Sequence, residues 1–337
     1  MTKLEKPFIN IDEQVEKLIG RGLIIPSVET AKNFLLKTTY YDVINGYKEI
    51  FLEQKTSADA EDKFLPNTQF DDLLELYELD NKIRQNSLRI LLDIECNFYS
   101  ALSYAISEKY GESQANYLKK ENYKAGNIQS YNRKSERENL LRKISKKIEK
   151  PDEQPLIYYK NKYGNIPPWI LVKDLTFGQL IVWYKLSSQD IKLKVIKILL
   201  GIDANESDKE FFLKSMELFN KFRNRAAHGG RMYNIKTNIQ LPYRPGLYGI
   251  LGITKESYSF GRGMSDYAAF TLALFNFHQN DVKRVFDFIV STNYNFQKYS
   301  EAQPIQSRMI LDSLGLPFDY YDRFSQALTV GRLKTNP

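Results

Sequence analysis

From Thr68 to Tyr110 the chain runs 43 residues without glycine or proline, the two residues that most readily interrupt a helix. Within it Phe70, Leu73, Leu74 and Tyr77 recur at helical spacing, and Thr68 with Asp71 has the form of a capping pair. Gly111 supplies a stop. One very long helix, or two in close succession, is predicted here, and no other stretch constrains the fold as strongly.

The flanking segments read the same way. Asn10 with Glu13 predicts a helix start, with Ile11, Val15, Leu18 and Ile19 on one face and Gly20 and Gly22 at its end. A second helix is expected from Ser27, turning Ala31, Phe34 and Leu35 inward, and Ser57 to Asn67 reads as a loop. Further on, apolar helical patterns cover Trp169–Leu186 (broken at Gly178), Ile191–Leu200 and Phe211–His228. Beyond Gln240 they recur near Tyr267–Phe277, Val282–Val290 and Gln306–Leu314. No set of alternating strands competes, so the chain is predicted to be all-α.

Composition narrows the function classes. At 42% hydrophobic residues the chain can build a real core, which excludes general disorder. Its single cysteine, Cys96, cannot form an internal disulfide, and two histidines, His228 and His278, cannot form a His-rich or Cys/His metal cluster. Cys96 lies in an apolar helical stretch and is expected in the core; Asp93, Glu95 and Glu108 are expected to be solvated or paired, and His278 packed or helix-terminal. The most apolar uncharged run, Tyr267 to Phe277, is too short to span a bilayer, which needs about 20 residues. With no apolar signal region after Met1, the expectation is a cytoplasmic protein without membrane contact.

The net charge of +7 is localised. Residues 119–150 hold eleven basic side chains: Lys119, Lys120, Lys124, Arg133, Lys134, Arg137, Arg142, Lys143, Lys146, Lys147 and Lys150. Four acidic residues oppose them, while the 37 cations elsewhere balance 37 carboxylates, so this segment supplies the whole surplus. Leu140, Leu141, Ile144 and Ile148 give its second half an amphipathic helical pattern. Two readings are open: a solvated helix face, or a surface for a polyanion such as RNA. Tyr117, Tyr123 and Tyr131 nearby are open in the same way, to packing or to stacking on bases.

Arg223-Asn224-Arg225-Ala226-Ala227-His228 is the segment best suited to chemistry. Asn224 and His228 are four apart and share a helix face, whereas Arg223 lies about 140° round from His228. Imidazole moves protons readily near neutral pH, and a guanidinium suits a phosphate that gains charge in a transition state. The pair therefore suits metal-independent phosphodiester cleavage. The residues alone also allow, and by themselves favour, a helix-terminal histidine beside surface arginines.

The wider pattern resembles the AbiD/AbiF-like abortive infection proteins. The similarity is carried by Lys221 to Asn234, by Pro167-Pro168-Trp169-Ile170 with Leu175 to Leu180, and by Lys6-Pro7-Phe8 with Gln14 to Leu23. Tyr40-Tyr41, Gly46-Tyr47, Leu76-Tyr77 to Asp80, Arg89 and Ile94-Glu95 add to it. One departure is visible: many relatives carry a second histidine where this chain has Gly229. The resemblance implies a HEPN-like helical bundle, with an N-terminal helical segment (1–60), a core (61–240) and a C-terminal helical region (241–337). It implies an anti-phage endoribonuclease toxin with His228 as acid/base, Arg223 stabilising the phosphate and Asn224 orienting the site. Arg231 and Asn234 match the tail of the signature and are expected to contact RNA, together with the basic side chains of 119–147. No cofactor or metal is expected. The implied partners are RNA, a small noncoding RNA that restrains the protein, and a second copy of the chain, because cleavage needs an acid and a base and each chain offers one motif.

Overall fold

The computed structural model describes residues 8–55, 57, 60–278 and 282–335; Lys6 and Pro7 of the N-terminal pattern lie outside them. Among the described residues there are seventeen α-helices, three 3-10 turns and no strand, only isolated β-bridges.

The glycine- and proline-free stretch forms a single helix, Phe70–Tyr110, of 41 residues, about 60 Å long at 1.5 Å per residue. Its cap lies one residue later than predicted. The Gln69 N–H donates to Asp72 at 2.7 Å, while the Thr68 hydroxyl turns back to the Leu65 carbonyl. Gly111, at φ +77°, ends it, a conformation that glycine adopts without a Cβ penalty.

The rest of the protein is arranged around this helix. Its buried stripe runs from Leu73 and Leu76 through Ile83, Ile90 and Ile94 to Phe98, Leu102 and Ile106. Helices Tyr40–Tyr47 and Val282–Ala302 pack on its N-terminal half; Gln189–Leu200 packs on its C-terminal half. Asn86 donates to the Phe288 carbonyl at 2.9 Å and to the Thr292 hydroxyl at 2.8 Å, so the C-terminal third is tied to the same spine by satisfied buried polar groups. One contiguous apolar core runs through all of these elements.

The other predicted starts and stops are present, with some shifts. Asn10 and Glu13 form a capping box on Ile11–Gly20, Ser27 caps Val28–Thr38, and Gly201 closes Gln189–Leu200 in the left-handed region. Gly178 does not break its segment; it lies inside helix Phe177–Leu186, which Thr176 caps. Ile19 is 48% exposed, because the buried stripe of its helix runs through Val15 and Leu18 and Ile19 is a further 100° round. Cys96 is exposed for the same reason, lying between the inward positions Ile94 and Phe98 rather than on their face. His278 is buried at the end of helix Tyr267–Phe277, edge-on to Phe277. No helix among the described residues is long and apolar enough to cross a membrane.

Candidate functional site

The helix that carries the motif, Glu206–Ala227, starts at an Asn205–Asp208 capping box. Its rotation is fixed by apolar burial: Phe211, Phe212, Met216, Phe219, Phe222 and Ala226 face the core, and Phe222 stacks on Phe270 with centroids 4.6 Å apart. With Phe222 and Ala226 inward, Asn224, Arg225 and His228 must face out, and all three are exposed.

The helix ends at His228, whose N–H donates to the Asn224 carbonyl at 3.1 Å. Gly229 then adopts φ +72°, and the Gly230 N–H returns to the Arg225 carbonyl at 2.8 Å, a closure that satisfies the last helical carbonyls. Beyond this turn the chain is clamped. The Met232 and Tyr233 N–H groups donate to buried Asp80 at 2.9 and 2.7 Å, and the Tyr47 hydroxyl donates to the same carboxylate at 2.8 Å. Burial pushes the Asp80 carboxyl above its ordinary range, and these donors pull the other way. Arg84, one turn along the long helix, lies 3.8 Å from Asp80 and donates to the Gly229 carbonyl at 3.3 Å. The His228 turn is therefore held from below by the spine.

His228 opens onto a cleft of about 520 Å³ between the motif helix and the pair Val28–Thr38 and Tyr40–Tyr47. Lys37, Arg84, Arg225 and Arg231 bring four cations to its walls, against one carboxylate, Asp42. Asp42 is engaged locally and accepts from the Thr39 hydroxyl at 2.8 Å. The Arg225 Nε donates to the Arg231 carbonyl at 3.1 Å, and an Arg231 Nη donates to the Gly46 carbonyl at 2.6 Å.

The predicted site residues are only partly gathered here. His228 and Arg231 line the cleft; Arg223, Asn224 and Asn234 do not. Arg223 is half-buried and donates from Nε to Glu95 at 3.1 Å, at mid-length of the long helix. Asn224 donates to the Asn220 side chain at 3.4 Å, and Asn234 is half-buried just past the Asp80 clamp.

None of the basic residues of 119–150 lines the cleft. Leu140, Ile144 and Ile148 of helix Glu136–Glu149 are buried, and this helix packs against Phe177–Leu186. Lys119, Lys120, Lys124, Arg133, Lys134, Arg142, Lys143, Lys146 and Lys150 are exposed. Arg137 instead donates to the Lys120 and Tyr123 carbonyls, and Lys147 pairs with Asp174 at 2.8 Å. A physical link to the motif helix runs through Gly178, where a Cβ would stand 3.3 Å from Asn220 Nδ2. Of the nearby tyrosines, Tyr117 and Tyr123 are buried beside Trp183, and Tyr131 is 71% exposed.

The matching family model, described as Abi-like protein, covers residues 33–234. The chain belongs to the Abi-like protein family. The match spans the long helix, the basic face and the motif helix of this Abi-like protein, and ends just past the Asp80 clamp. The N-terminal similarity around Arg21 to Leu23 lies outside it. Comparison with curated proteins and with solved structures returns no match.

Sequence reasoning did not find Lys37, Tyr41 or Arg84 as site residues. Arg84 carried a signal, since it stands four after Asp80 on one helix face, and Arg225 stands three before His228. Lys37 carried none and Tyr41 only its place in the family pattern, because the packing of the first helices is what brings both to this turn. Among the described residues no three His, Cys, Asp or Glu side chains converge as metal ligands.

Proposed function

We propose that this Abi-like protein is a metal-independent endoribonuclease of the HEPN type, acting as an abortive infection toxin in the bacterial cytoplasm. The observation that carries the reading is an exposed histidine at a helix end, opening onto a cleft whose cations outnumber its carboxylates four to one. Phosphodiesters are drawn to such a field, and imidazole is the side chain suited to shuttle the proton.

In the proposed reaction the RNA 2′-oxygen attacks the adjacent phosphorus. One His228 accepts the 2′ proton, the 2′-O–P bond forms, and the P–O5′ bond breaks as a second imidazole protonates the leaving oxygen. The products are a 2′,3′-cyclic phosphate and a 5′-hydroxyl. The second imidazole is assigned to His228 of another copy, so the active form is a homodimer. Glu95 orients Arg223 through Nε, and the outer guanidinium nitrogens are assigned to the phosphate. The exposed lysines and arginines of 119–150 are assigned to RNA binding, including a small noncoding RNA that restrains the toxin.

A second reading is an RNA-binding regulator that cuts slowly or not at all. It is favoured by one observation, that Arg223 is paired with Glu95 and does not line the His228 cleft. Cleavage of RNA by the purified protein in excess chelator separates the two. We expect cyclic phosphate ends, and a loss of about 100-fold or more in His228→Ala, as for removal of a general acid or base. Equal cleavage by wild type and His228→Ala would refute the nuclease assignment.

A further inference from the structure

The cleft contains more than the family motif. Its far wall is built by helices Val28–Thr38 and Tyr40–Tyr47, which meet at a single residue, Thr39. Thr39 is the C-cap of one helix and the N-cap of the next, and its backbone stands at φ +58°, ψ +139°. This region is unfavourable for a β-branched residue, and such strain persists only where the surroundings enforce it. The sharp corner brings Lys37, on the last turn of the first helix, and Tyr41, on the first turn of the second, to the same cleft as His228.

The chemistry of that wall is specific. Tyr41 is 68% exposed, presenting a large flat ring to solvent at the rim of a charged cleft. Lys37 is exposed as well. Arg225 comes to the cleft from the motif helix and Arg84 from the long helix, while Arg231, just past the His228 turn, reaches over to the Gly46 carbonyl of the second wall helix. An aromatic face beside several cations matches one unpaired nucleotide, with the base on the ring and the phosphates on the cations. The volume of about 520 Å³ falls within the range of small-ligand sites. A duplex does not fit this description, because its bases are already stacked on each other.

We propose that the N-terminal helical corner is a nucleotide-binding wall for single-stranded RNA, in which Tyr41 stacks on an unpaired base and Lys37 and Arg225 hold the flanking phosphates. This inference rests on His228 marking the reaction centre, and it assigns the strand's position to residues outside the motif.

The test is equilibrium binding of a labelled RNA oligonucleotide carrying one 2′-deoxy nucleotide, measured in a His228→Ala background so that cleavage plays no part. Tyr41→Ala is expected to weaken binding about tenfold, and Tyr41→Phe, which keeps the ring, to bind as the parent does. Lys37→Ala is expected to lower the slope of log affinity against log salt by about 0.7, one phosphate contact on a single strand. Duplex RNA of the same sequence is expected to compete poorly. Unchanged affinity in both Tyr41→Ala and Lys37→Ala, or equal competition by duplex RNA, would overturn the proposal. Failure of the nuclease reading gives a different pattern, with binding that depends on Tyr41 and Lys37 in a protein that never cuts.

Discussion

Asp80 offers the sharpest test of how the His228 turn is held. Its side chain is fully buried and accepts from three donors, the Met232 and Tyr233 N–H groups and the Tyr47 hydroxyl. Asp80→Ala strands all three. At about 1–3 kcal/mol for each buried unsatisfied group, partly offset by relief of the carboxylate's own burial, we expect a net destabilisation of about 3–5 kcal/mol. Asp80→Asn keeps an oxygen beneath the two N–H groups, and the Tyr47 hydroxyl can rotate to accept from the new amide. Its expected cost is about 1–2 kcal/mol. Urea unfolding followed by circular dichroism reads both as shifts of the midpoint at constant slope. If alanine costs under about 0.5 kcal/mol, the clamp does not hold the turn. If asparagine costs as much as alanine, the hydrogen-bond reasoning fails and the charge itself is what matters.

Two further predictions follow from the same geometry. A Cβ at Gly230 would collide with the Cδ and Nε of Arg225, so Gly230→Ala is expected to swing that guanidinium out of the cleft and weaken RNA binding several-fold. Affinity equal to wild type in that variant would show that Arg225 makes no contact with the strand. Asp62 pairs with Lys48 and with Lys55, and these cations hold its carboxyl at about 2, below the ordinary carboxylate range. Its contribution to stability is therefore complete above pH ~4 and is lost as pH falls towards 2. Stability measured from pH 5 to pH 2.5 should fall less steeply in Asp62→Asn, and identical slopes would show that the pairs are not linked to folding.

Much of the fold was legible in the residues because helix formation is governed locally. The run from Thr68 to Tyr110 contains no helix breaker, Asn10 and Ser27 are caps and Gly111 is a stop, so those helix ends were placed to within a residue or two, whereas Val282–Ala302 runs twelve residues past its expected end and Glu206–Ala227 starts five residues before its expected start. Periodicity was less reliable at the edge of an apolar stripe. Ile19 and Cys96 belong by residue type inside and by angle outside, and the angle decides.

The sequence by itself determined an all-α chain, a charge surplus confined to 119–150, and a motif in which Asn224 and His228 share a helix face. Only the tertiary structure decided what surrounds His228. Arg84 and Asp80 reach the turn from 145 or more residues away, Lys37 and Tyr41 come from the opposite wall, and Glu95 pairs with Arg223 through Nε outside the cleft. The basic helix was also placed by packing, against helix Phe177–Leu186, and none of its side chains lines the cleft. The physical reason is that caps and periodicity are interactions across a few residues, whereas a cleft is made by side chains that meet only after the core has closed.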